Sequence, residues 1–149
     1  MYILFKIIHV LSAIVAVGVN LTYPIWLMRG DGSSKYQLHI LKGVKFLDSY
    51  VANPAYILSL ISGLGLWYLS GIDVLQTPWL LVSMSLFLMM ALLGFGLYSP
   101  LLSRQIHLLN SSGINSKEYK LLDRKQKLTG IVLTSMALII VTLMVSKIS

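Results

Sequence analysis

Four long apolar runs separated by polar stretches organise the chain: about Ile3 to Met28, Val51 to Leu69, Trp79 to Leu102 and Leu128 to Val145. Each is close to or above the roughly 20 residues that a helix needs to cross a hydrocarbon core about 30 Å thick. The runs are continuous rather than alternating. A backbone in lipid must satisfy its own hydrogen bonds, so each run predicts a helix rather than a barrel strand. Lys6 ahead of the first run imitates a signal peptide. The run is too long for one, and Tyr23-Pro24-Ile25-Trp26 offers no small-residue cleavage site, so a retained helix is expected.

The polar stretches carry helical patterns of their own. Tyr36, Ile40, Leu41, Val44, Leu47 and Val51 fall at helical spacing among Lys35, Lys42 and Lys45. That pattern predicts an amphipathic surface helix or an extension of the second run. Asn53-Pro54 then predicts a restart or kink, because proline has no N–H and clashes with the preceding turn. Asn110-Ser111-Ser112-Gly113 is a turn signal, after which Asn115 or Ser116 can cap a helix leading into the fourth run. The expected fold is all-α: one domain over residues 1–149, a transmembrane up-down four-helix bundle with helical cytoplasmic extensions.

Composition supports lipid as the solvent. Of 149 residues 56% are hydrophobic and 11% charged, against about a quarter charged in soluble domains. With no cysteine, disulfides, thiolate metal sites and cysteine nucleophiles are excluded. The net charge of +7 is unevenly placed. Arg29, Lys35, Lys42 and Lys45 lie after the first run; Arg104, Lys117, Lys120, Arg124, Lys125 and Lys127 lie after the third. The stretch after the second run has none, and the ends have only Lys6 and Lys147. Under the positive-inside rule the two basic stretches face the cytoplasm and both termini lie outside, with Trp67, Tyr68 and Trp79 in an outer aromatic belt. Basic charge placed this way reads as topology, and no nucleic-acid partner is expected. Expected partners are the lipid bilayer and either a second copy or another membrane protein.

Small and polar residues mark where helices meet in lipid. His9, Ala13, Ala16, Asn20 and Tyr23 form one stripe on the first run; Ser59, Ser62, Gly63 and Gly65 mark the second. His9 is the one ionisable side chain well inside a run, and an imidazole there can ligate a haem iron or hydrogen-bond a porphyrin. The alternative is a neutral histidine bonded to a serine hydroxyl or backbone carbonyl of a neighbouring helix. Asn20 and Asn53 are weaker candidate contacts for a bound group and lie where they can approach each other. No other candidate metal ligand is expected, since His39 and His107 have no metal-ligand spacing. Asp48 reads as an edge residue pairing with Lys45 or with a basic residue of the stretch that leads into the fourth run. The runs hold no other carboxylate, which weighs against proton-coupled export.

Lys6-Ile-Ile-His9 through Gly18, Thr22-Tyr23-Pro24-Ile25-Trp26, Asn53-Pro54 through Leu66 and Leu143 to Lys147 together resemble an uncharacterised group of predicted bacterial integral membrane proteins, a domain of unknown function. The resemblance implies a bacterial inner-membrane location. More distantly, the lysine-x-x-histidine opening and the proline early in the second run are similar to the four-helix membrane protoporphyrinogen oxidase family, which implies a haem or porphyrin contact at His9. That family has further charged residues where this chain has Ser, Leu, Met and Gly. The expected function is therefore an uncharacterised inner-membrane protein, not assigned as an enzyme and with no catalytic residue named, binding haem, porphyrin or another small apolar ligand near His9. The alternatives are an oxidoreductase of the protoporphyrinogen oxidase type and a structural subunit of a membrane complex.

Overall fold

The computed structural model describes residues 1–29 and 33–147. Among them every regular element is helical: α1 (Tyr2–Met28), α2 (Ser34–Leu47), α3 (Asn53–Ser70), α4 (Pro78–Leu93), α5 (Ser99–Ser112) and α6 (Lys117–Ser146). Two π-helical segments, Asp48–Ala52 and Gly94–Tyr98, join α2 to α3 and α4 to α5 without a break. The expected kink at Asn53-Pro54 is thus a widened turn. Pro54 cannot donate, and the N–H of Asn53 reaches back five residues to the Asp48 carbonyl. Ser99-Pro100 repeats the arrangement, with the Ser99 N–H on the Gly94 carbonyl. Proline removes one donor from the ladder and crowds the carbonyl four residues back, and a π turn is one way for the helix to continue past that gap.

Among the described residues three helices are long and apolar enough to cross a membrane: Tyr2–Met28, Pro78–Ser112 and Lys117–Ser146. The run expected to cross from Val51 to Leu69 is not among them. The 18 residues of α3 open on Asn53 and Pro54 and include Ser59, Ser62, Gly63 and Gly65. Those residues make α3 less apolar because they serve its packing on α1.

That packing is close and antiparallel. A Cβ built on Gly63 would lie 3.0 Å from the His9 ring, and one on Gly65 would lie 2.6 Å from the Phe5 ring. Ser59 and Ser62 are buried in the same seam, opposite Ser12 and Ala16 of α1. Without a hydrophobic drive between helices in lipid, such small residues allow the backbone approach that van der Waals attraction needs. The outer faces are apolar and exposed: Ile7, Leu11 and Ile14 on α1, Ile57 and Ile61 on α3, Leu88 and Leu92 on α4, Ile131 and Ile139 on α6.

Burial is deepest at the basic end. Leu41, Val44, Leu102, Gln105 and Gln126 are almost fully enclosed where α2, α5 and the first half of α6 meet. α2 is the amphipathic helix that the 36–51 pattern predicts, with Gln37, Ile40, Leu41 and Val44 inward. α5 runs to Ser112, ten residues past the expected end of the third run, and stops at Gly113, whose φ of +75° favours glycine. Ser116 caps α6 by accepting from the Tyr119 N–H at 3.2 Å, a contact that typically stabilises a helix by about 1 kcal/mol.

Gly63→Leu drives a branched side chain into the His9 ring and should lower stability by about 1–3 kcal/mol. Gly18→Leu, where a Cβ meets nothing within 4 Å, should be close to neutral. Thermal unfolding of both variants in the same detergent checks the contrast; equal melting would refute the close α1–α3 seam.

Candidate functional site

The two π segments face each other across a network that includes one buried acid. Lys45 of α2 donates to the Ser99 hydroxyl and, at 3.3 Å, to the Ser99 carbonyl. Asp48, at the start of the first π segment and 6% exposed, lies within reach of Ser99, Lys45 and Asn53. Lys45 thus bonds Ser99 and makes no direct ion pair with Asp48, the first of the pairings expected from the sequence. Among the described residues the one ion pair is Lys127 with Asp123, at 2.6 Å.

Above this network lies a cavity of about 220 Å³ bounded by α1, α3, α4, α6 and both π segments. Its polar lining includes Asn20, Tyr23, Asp48, Asn53, Tyr56 and Gln126. Asn20 Nδ2 donates to the Tyr56 hydroxyl at 2.6 Å, and Gln126 Nε2 donates to the Tyr98 hydroxyl at 3.0 Å. Aromatic rings form much of the wall. Tyr23 and Tyr98 are stacked with centroids 6.4 Å apart, and Tyr56 meets Phe87 edge-on at 6.2 Å. Three buried atoms of lining residues have no hydrogen-bond partner among the described residues: Tyr23 OH, Asp48 Oδ2 and Gln126 Oε1. Buried polar atoms are nearly always paired, so three orphans around one cavity point to a polar group that belongs there.

Asp48 lies just ahead of the expected 51–69 crossing. Burial pushes its carboxyl up from the usual carboxylate range, opposed by the Ser99 bond, the Lys45 charge and the Asn53 bond. The closed surroundings disfavour the ionised form.

Of the residues singled out in the sequence, Asn20 and Asn53 both line this cavity. His9 does not. It sits farther along α1, half-buried, with Nδ1 bonded to the Ser59 carbonyl at 2.8 Å and the Ser59 hydroxyl 3.4 Å away. The carbonyl bond fixes the proton on Nδ1 and leaves Nε2 as the acceptor. The described residues contain no cluster of three or more metal-ligating side chains, and His39 and His107 are exposed. Sequence reasoning missed Tyr23, Tyr56, Tyr98, Ser99 and Gln126 as site residues. The available signal was the repeated polar-Pro pair, Asn53-Pro54 and Ser99-Pro100, each opening a helix beyond a π segment.

Residues 3–148 match a family described as predicted integral membrane protein (DUF2269). No curated protein matches the chain, and no solved structure does.

A carboxyl whose folded-state pKa is raised keeps its full share of stability below the unfolded value and loses it as pH rises through the folded value. Ionised Asp48 therefore costs stability near neutral pH. Asp48→Asn should raise the melting temperature at about pH 7.5 and leave it nearly unchanged near pH 3, where the unfolded carboxyl is also largely protonated. Melting curves of the two proteins across that range check the sign; a variant less stable at the higher pH would refute it.

Proposed function

The chain belongs to the DUF2269 family of predicted integral membrane proteins, and from that premise we propose that it crosses the bilayer four times and holds a small apolar-bodied molecule in the cavity between its π segments. Three apolar helices long enough to span support the membrane setting. α3 joins them as the fourth crossing. It lies along α1, exposes Ile57, Leu58 and Ile61 to the surroundings, and its 18 residues span about 27 Å at the helical rise. A short connection, residues 71–77, returns the chain into α4. The basic residues of α2, α5 and the start of α6 favour that end as cytoplasmic, with both termini on the other face. In a bacterium this is the inner membrane.

The single observation that carries the binding function is the set of orphaned polar atoms, Tyr23 OH, Asp48 Oδ2 and Gln126 Oε1, on one aromatic-walled cavity. Concave sites with mostly apolar walls and a few oriented polar groups are the usual form of a small-molecule site. A second reading keeps His9 as the ligand of a haem iron. The carbonyl bond that fixes its tautomer supports it, since ligating histidines are commonly held this way through the other nitrogen. The cavity reading is stronger because the pocket and the unpaired groups coincide there.

Two measurements test these readings. The chain has no cysteine, so single cysteines report topology cleanly. Asp73→Cys should label from the outer face of intact cells and Ser111→Cys only after the membrane is opened; labelling of both from one side would overturn four crossings. Purified full-length protein should bind a one-ring neutral probe such as 2-phenylethanol. Gly94→Leu, which places a side chain in open space on the cavity wall, should weaken binding at least about tenfold. No binding by the unmodified protein sinks the cavity reading, while a hemin Soret band abolished by His9→Ala would favour the second.

A further inference from the structure

We propose that the molecule held in this cavity carries a primary ammonium group on a small apolar body, with the Asp48 carboxylate as its counter-ion. The inference rests on the cavity being a binding site and goes on to name the ligand's chemistry.

The charges around the cavity are unequally committed. Lys45 directs its N–H groups to Ser99 and reaches Asp48 by its charge without an ion pair, and Lys127, which also lines the cavity, is paired with Asp123. Asp48 has no salt-bridge partner among the described residues, and its Oδ2 has no hydrogen bond there. The buried acid is thus the group still able to take a counter-ion. A charge-assisted bond to it is stronger than a neutral one and shields a carboxylate that is costly to leave alone.

The three orphaned atoms have the right polarity. Asp48 Oδ2 and Gln126 Oε1 only accept hydrogen bonds when the acid is ionised, and the Tyr23 hydroxyl can accept as well as donate. Asp48 lies within electrostatic reach of Tyr23, Tyr56 and Tyr98, so the carboxylate and these hydroxyls share one region. A primary ammonium supplies three N–H donors. An alcohol supplies one, and an anion is repelled.

The walls suit a cation. Tyr23, Tyr56, Phe87, Phe95 and Tyr98 all line the cavity, and aromatic faces attract ammonium groups more strongly once water is excluded. The volume of about 220 Å³ exceeds the roughly 150 Å³ that accommodates benzene. One ring with a short amine chain fits that size.

The test uses full-length protein in nanodiscs and calorimetry with three probes of like shape: phenethylamine, 2-phenylethanol and phenethyltrimethylammonium. Phenethylamine should bind at least about tenfold more tightly than the alcohol. Asp48→Asn should erase that preference. Tyr23→Phe should weaken phenethylamine several-fold while leaving the trimethylammonium probe, which has no N–H, unchanged. An alcohol bound as tightly as the amine, or a preference that survives Asp48→Asn, overturns the assignment. Equal binding of the two cations overturns its primary-amine part. If Asp48→Asn does not fold, the amine-to-alcohol ratio of the unmodified protein decides alone. Failure of every probe removes the cavity reading itself; tight binding of the alcohol without a preference for the amine removes only the ammonium.

Discussion

Pro54 and Pro100 each delete one backbone donor from a helix that nevertheless continues. In both places the chain bridges the gap with a π segment, Asp48–Ala52 and Gly94–Tyr98. The wider turn adds about one residue and so rotates the faces of the helix beyond it. Asp48 and Tyr98, one from each segment, are buried at the cavity wall. Ser99, the residue after the second segment, accepts from Lys45 beside the first. A pair of missing N–H groups thus fixes where two helices open and what they present to each other.

Two solvents divide the rest of the molecule. At the basic end Ile40, Leu41, Val44, Leu102 and Leu109 pack into a dense core, the arrangement that water as solvent favours. Toward the other end the apolar side chains turn outward, where lipid already solvates them, and small residues occupy the seam between α1 and α3. His9 belongs to that seam. Interhelical hydrogen bonds of this kind average about 0.6 kcal/mol in membrane proteins, so its bond to Ser59 orients the two helices more than it holds them together.

The cavity lies where these regimes meet. It is near enough to the basic-end core to keep a carboxyl, three carboxamides and tyrosine hydroxyls, and apolar enough to make their burial costly. Each unpaired atom there disfavours the folded state by about 1–3 kcal/mol unless something bonds to it. Three such atoms lie on the wall that holds the stacked Tyr23 and Tyr98.

The all-α class, the three long apolar helices, the amphipathic α2 and the Ser116 cap were legible in the sequence, because each depends on spacing within a few turns. Asn20 and Asn53 were noticed as polar residues in apolar runs, and both line the cavity. Tyr98 and Gln126 could not be recognised, since a tyrosine near a run's end and a glutamine in a basic stretch look like ordinary interface and surface residues. Asp48 looked like a surface partner of Lys45, because sequence separation of three residues says nothing of a hydroxyl arriving from residue 99. Local pattern determined the helices, since hydrogen bonding and side-chain period are properties of one segment. Only the tertiary structure decided the candidate site, because its groups come from segments as far apart as Asn20 and Gln126, and burial, which makes them costly when unpaired, exists only once those segments meet.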